Sequence, residues 1–236
     1  MSNCNKELKY GVPASDQLLI NEYYSVGYSY MFRHPRWAIE VIDHQKTIKR
    51  LNNFRPDFRI PEQFRLEPND FRNSGYDRGH LVASADKDSE LLENSETFLL
   101  SNMTAQKHEL NAGPWEDLEN LVREVDKLDS ILEVYAMSGP IYLWDKAFEV
   151  ITPHSGSHNT FPIPHAFFKS ILTEDVKGQI NLYSYIMPNI EKIDVNFQNN
   201  VCSTSEVERV TGMILWPALV GEKIQVLKNS IRQLSV

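Results

Sequence analysis

The residues in this chain with the types and spacing to do chemistry lie close together. Tyr76-Asp77-Arg78-Gly79-His80 is followed by Ser101-Asn102-Met103-Thr104-Ala105-Gln106, by Asn111-Ala112-Gly113-Pro114-Trp115, and by Glu119 and Arg123 at i, i+4 spacing. A neutral imidazole such as His80 accepts a proton near pH 7. The amide oxygen of Asn111 is a hard, neutral ligand; alone it leaves a small divalent ion mostly hydrated, a state that magnesium tolerates. Glu119 can hold the waters of such an ion, and Arg78 and Arg123 offer cationic donors to an oxyanion. The set suits water attack on an anionic centre.

Each part also has an ordinary reading. Asp-Arg-Gly-His can be a salt-bridged turn, with Asp77 bracing it. Asn102 and Asn111 can be turn residues that bond their own backbone. Glu119 and Arg123 can be a solvated helix pair. What these readings leave unexplained is the joint order and spacing, with Asn102 placed to orient the histidine loop or to reach a phosphate.

In that order and spacing, the stretch resembles the core of the DNA/RNA non-specific endonucleases, the sugar-non-specific nucleases of the ββα-metal class. Their motif is a DRGH strand end, an SN-x-x-P/A-Q loop, and an N-x-x-x-W turn entering a helix that carries glutamate and arginine. Phe71 to His80, Met187-Pro188-Asn189 and Glu206 to Gly212 extend the likeness over about residues 10 to 220. Ala105 stands where many members have proline, which bears on loop stiffness.

The resemblance implies a magnesium-dependent endonuclease, with manganese as a substitute, acting on DNA and RNA and leaving 5′-phosphate ends. It implies that His80 is the base, that Asn111 is the metal ligand with Glu119 acting through water, and that Arg78, Asn102 and Arg123 complete the catalytic set. Arg50, ahead of Phe54 and Asp57, is the nearest match to a substrate-holding arginine of the family, and Arg72 is a second candidate for phosphate contact. A catalytically inactive binding module on the same fold is the alternative. A zinc site on His154, His158 and His165 is disfavoured by Pro153 and Gly156 and by the lack of a following glutamate.

Composition limits the rest. The chain has 236 residues, 42% hydrophobic and 24% charged, in the range of soluble globular proteins and long enough for a core without staples. It is read as one domain over residues 1–236. No apolar run approaches the ~18 residues of a membrane span, and no membrane partner is expected. Net charge is -8, unusual beside the basic footprint of most nucleic-acid binders. The charge is uneven: residues 33–87 hold 11 basic and 8 acidic side chains, and residues from 88 onward hold 11 basic and 21 acidic. Cys4 and Cys202 either pair or remain thiols. With no apolar leader at Met1, the compartment is secreted or periplasmic if a signal was removed, and cytoplasmic otherwise. An inhibitor protein stays open as a partner, as does oligomeric state.

The elements that must position these residues read as an α+β fold, a central, mainly antiparallel sheet flanked by helices around a ββα-metal motif. Strands are expected over 21–30, 37–42, 132–137, 165–171 and 180–187, from β-branched and aromatic runs. Residues 31–36 read as a turn, 45–71 as irregular with one strand near Ile48, and 80–85 as continuing a strand. Asp86 reads as the cap of a helix to Thr97, and Phe98 to Ser101 as a short strand. Pro114 suits the first turn of a helix that buries Trp115, Leu118, Val122 and Val125. Helices are expected over 207–211 and 223–233.

Overall fold

The computed structural model describes residues 5–43, 47–152 and 160–236. Chain order is β1 (Gln17–Ile20), β2 (Tyr24–Ser29), β3 (His34–Val41), β4 (Asp77–His80), α1 (Leu91–Thr97), β5 (Met103–Gln106), α2 (His108–Asn111), α3 (Pro114–Asp126), β6 (Ile131–Ile141), β7 (Val150–Ile151), β8 (Phe161–Pro162), β9 (Ala166–Asp175), β10 (Ile180–Pro188), β11 (Val201–Cys202), α4 (Thr204–Thr211) and α5 (Glu222–Asn229). One sheet has seven strands in the order β1-β2-β3-β6-β9-β10-β11, and β4-β5 and β7-β8 form separate ribbons. Every pair is antiparallel.

Side chains alternate across the large sheet, so the apolar runs of β6 and β9 feed two cores at once. Val134, Ala136, Phe167 and Ile171 pack on one face with Trp115, Leu118, Val122 and Val125 of α3. Tyr135, Met137, Phe168 and Leu172 pack on the other with Val207, Leu215 and Trp216. The α3 stripe is the one its spacing predicts. Each of its four side chains is worth about 1.5–3 kcal/mol of burial, and together they fix the helix on the sheet. Gly27 is dictated by Trp37, because a Cβ there would lie 2.2 Å from Cε2 of the indole.

Several boundaries differ from expectation. β3 begins at His34 inside the supposed turn, and β1 lies ahead of the first expected strand. No strand forms near Ile48 among the described residues, and the strand before the turn stops at His80. Phe98 to Ser101 is not a strand; residues 100–102 make a 3-10 turn and β5 starts at Met103. Asp86 does not cap a helix, since α1 starts at Leu91 after Glu90. Its carboxylate is instead drawn inside by Arg123, at 2.5 Å. Cys202 is a free thiol on β11, and Cys4 lies outside the described residues. Among those residues no helix is long and apolar enough to cross a membrane.

Candidate active site

β4 carries Asp77, Arg78, Gly79 and His80 against β5, with Asp77 opposite Gln106 and His80 opposite Met103. Gly79 is required by this closeness, because a Cβ would lie 2.2 Å from Gln106 Oε1. Just past His80 the chain is clamped by Asn102, which is fully buried. Its Oδ1 accepts from Val82 N at 3.0 Å, and its Nδ2 donates to the carbonyls of Val82 and Thr97, each at 2.9 Å. The Asn102 carboxamide is therefore occupied by the backbone of Val82 and Thr97.

On the other side of the ribbon, α2 ends at Asn111. Asn111 Nδ2 donates to Asp77 Oδ2 at 3.0 Å, and the same oxygen lies 2.9 Å from His108 Nδ1. The amide oxygen of Asn111 is thereby left for the cleft. The ribbon is tied to the large sheet by Asn189, just after β10. Its Oδ1 accepts from Lys107 N at 2.8 Å, and its Nδ2 donates to Ala105 O at 3.0 Å and Pro164 O at 2.9 Å.

These elements enclose a cavity of about 180 Å³ lined by Arg50, Arg78, His80, Asn111, Glu119 and Arg123, with Ser84, Ala85 and Glu116 among the rest. A second cavity, about 350 Å³, shares Arg50, Arg78 and Asn111 and adds Phe54, Phe71 and Tyr76. Arg72 is exposed and lines neither. A larger cavity of about 630 Å³ lies elsewhere, among Glu22, Asp43, Glu93, Asp126 and Glu133, without the histidine and asparagine of the motif.

His80 is half-buried and packs against aromatic rings. Its ring centroid lies 5.1 Å from that of Phe98 and 5.8 Å from that of Phe54. Burial, then the Arg50 charge, lowers its pKa to about 3 against a weaker pull from the Arg78 backbone. The ring is thus neutral at physiological pH, and its Nε2 has no hydrogen-bond partner. Arg78 stacks its guanidinium 4.7 Å over Phe54 and donates to Pro68 O at 3.2 Å, while its Nε is unpartnered. Arg50 lies 5.2 Å over Phe98. Arg123 is more confined: its two terminal nitrogens engage Asp86 at 2.5 Å and Asn120 at 2.7 Å. It serves as a fixed charge beside Glu119, whose pKa burial raises to about 7 against the opposing charges of Lys169 and Arg123.

Two observations bear on a metal. Glu119 and Asn111 line the same cavity, and Asn111 is held by its amide nitrogen. Among the described residues no group of three His, Cys, Asp or Glu could hold an ion alone. The donors thus fit a hard, largely hydrated cation and not a zinc cage. His154 and His158 lie outside the described residues. His165 has both ring nitrogens engaged by backbone, Leu143 N at 3.1 Å and Ala147 O at 3.1 Å.

The sequence reading missed Phe98, Glu116 and Lys169. Glu116 was open to detection, three residues before Glu119 on one helix face. Phe98 and Lys169 carry no local signal, since both reach the site only through folding.

Proteins similar to this chain are named as nucleases. Human mitochondrial endonuclease G is 29% identical over 226 residues, covering 90% of this chain and 74% of that protein. Mitochondrial nuclease 1 of Schizosaccharomyces pombe is 31% identical over 256 residues, covering 99% and 77%. A chain in the crystal structure of the EndoG/EndoGI complex, which addresses the mechanism of EndoG inhibition, superposes with a TM-score of 0.82 at 29% identity, covering 92% of each chain. With residues 3–221 matched by the model of the DNA/RNA non-specific endonucleases, this chain belongs to that family of nucleases.

Proposed function

We propose that the chain hydrolyses phosphodiester bonds of DNA and RNA with His80 as general base, assisted by one magnesium ion held by Asn111 and, through water, by Glu119. The observation that carries this reading is the shared cavity, into which β4 brings His80 and the α2–α3 corner brings Asn111 and Glu119. The neutral His80 imidazole takes a proton from the attacking water as the water oxygen bonds to phosphorus. The bond from phosphorus to the 3′ oxygen breaks, the 3′ oxygen takes up a proton, and the phosphate stays on the 5′ side. Bound magnesium, with manganese as a substitute, would supply Lewis acidity at the phosphate and stabilise the leaving oxygen.

Arg78 and Arg50, which line both cavities, are the cations placed to touch the phosphate. Arg123 acts through its charge, being already paired. Asn102 acts by fixing the turn after His80. Arg72 is left as an outlying contact for a longer strand. None of these groups reads a base edge, which supports activity on both nucleic acids. An inhibitor protein is a proposed partner, supported by the likeness to EndoG in its complex with EndoGI.

The test is plasmid and RNA cleavage by the purified chain, with and without magnesium, beside His80→Ala. General base removal lowers the rate by about 10²–10⁴-fold. Full activity of His80→Ala would overturn the assignment of the base. Strand binding without cleavage by the unaltered chain would favour the inactive module.

A further inference from the structure

Lys169 lies on β9, paired across the sheet with Ser138 of β6 and Tyr185 of β10. Its side chain shares the face of Phe167 and Ile171, beneath α3, and is 2% exposed. A buried ammonium is costly unless opposed by charge and hydrogen bonds. Three groups meet it. Ser138 Oγ accepts from Nζ at 2.9 Å, the Trp115 ring centroid lies 4.5 Å away, and Glu119 Oε1 lies 3.6 Å away. The last distance is too long for a hydrogen bond but close for an ion pair. Glu119 Oε1 is enclosed and has no hydrogen-bond partner, so the carboxylate turns one oxygen inward to Lys169 and leaves Oε2 to the cavity.

We infer that Lys169 is a positioning residue for the metal site: from the centre of the sheet it fixes the Glu119 carboxylate so that one oxygen faces the hydrated cation. This rests on the proposed function, in which Glu119 holds metal-bound water. The shape of the contact supports it. Trp115 and Glu119 are one helical turn apart on α3, and Lys169 touches both, so it sets the rotation of the helix face that carries the carboxylate as well as the carboxylate itself. A lysine that only tied the helix down would need no carboxylate at the edge of the cavity, because Trp115, Leu118, Val122 and Val125 already bury that face.

The test measures Mn²⁺ binding by electron paramagnetic resonance at one fixed pH, without nucleic acid, on the unaltered chain, Lys169→Met, Glu119→Gln and the double variant. Near-ultraviolet circular dichroism checks the fold of each. Outer-sphere partners of metal ligands are worth about 10–100-fold in affinity, and Lys169→Met is expected to weaken Mn²⁺ binding by about 10-fold. In the Glu119→Gln background it is expected to add little, because the group it works through is gone. Unchanged affinity in Lys169→Met overturns the inference. So does tighter binding, the outcome if the ammonium merely repels the cation, and so does a loss that adds in full to that of Glu119→Gln. Should Lys169→Met fail to fold, Ser138→Ala decides, since it keeps the charge but frees Nζ. A several-fold loss supports the role, and no change overturns it. Absence of Mn²⁺ binding and of cleavage in the unaltered chain is a separate result, which sinks the proposed function instead.

Discussion

Asp77 and Asn111 are joined through one carboxylate oxygen, Oδ2, which accepts from the asparagine Nδ2 at 3.0 Å. The bond decides which end of the amide faces the cleft. It spans 34 residues, linking the first residue of β4 to the last of α2, so the strand that carries His80 and the turn that carries Asn111 are set as one unit. Asp77→Ala should therefore raise the magnesium concentration for half-maximal cleavage by about 10-fold or more with little change in melting temperature. An unchanged magnesium requirement would show that Asn111 is oriented by other means.

Asn102 offers a contrasting case. Its alanine variant leaves Val82 N, Val82 O and Thr97 O without their side-chain partners in a buried site. Orphaned buried groups cost about 1–3 kcal/mol each, and a loss of at least about 3 kcal/mol is expected in urea titrations. Activity should fall with it, because the turn after His80 loses its clamp. Loss of activity at full stability would instead mean that Asn102 meets the substrate directly.

The Asp86–Arg123 pair is buried on both sides. Removing either partner strands the other charge, at a cost of about 3–5 kcal/mol. Asp86→Ala should destabilise by that order, and Asp86→Ala with Arg123→Met should recover part of it. A double variant no more stable than the sum of the singles would show that the two charges are not coupled.

Two histidines titrate abnormally, the fully buried His34 and the half-buried His80, both lowered to about 3, chiefly by desolvation. The unfolded chain protonates them near 6.5 and the folded chain does not, so each costs stability as pH falls from 6.5 toward 3. Glu40, Glu119 and Asp126 act in the opposite sense, since burial raises them to about 8, 7 and 6; below those values the folded state binds more protons. A difference measurement separates the terms. Relative to His34→Gln, which lacks the titrating ring beside Tyr142, the unaltered chain should lose about 1.4 kcal/mol per pH unit between pH 6 and 4. Parallel stability curves would mean that His34 is already protonated in the fold.

Much of this site was legible because its parts are local. Pro114 marks the start of α3, and Trp115, Leu118, Val122 and Val125 mark its inner face, so Glu119 and Arg123 could be placed at its edge from the sequence. The likeness around Asp-Arg-Gly-His supplied the rest of the set. What could not be read was pairing across distance. An aspartate that caps a helix and an aspartate that neutralises a buried arginine are the same residue, so Asp86 was misplaced. Lys169 sits in a strand, where a lysine signals solvent as readily as a buried charge, and its partner is 50 residues earlier in the chain. Arg72 has the right residue type and segment, but it is exposed and lines neither cavity. β1 escaped notice because four residues with mixed exposure carry too short a pattern.

Two strands of four residues have little rigidity in water on their own, and β4 and β5 are such a ribbon. The single carboxamide of Asn189 fastens that ribbon to the outermost long strand of the large sheet and to Pro164 at once. Part of the stiffness of the half that carries His80 is thus borrowed from the other half through this rivet. Warming that loosens this rivet would part His80 from Asn111 while most of the protein kept its shape, so cutting would fade at temperatures where the bulk fold still stands.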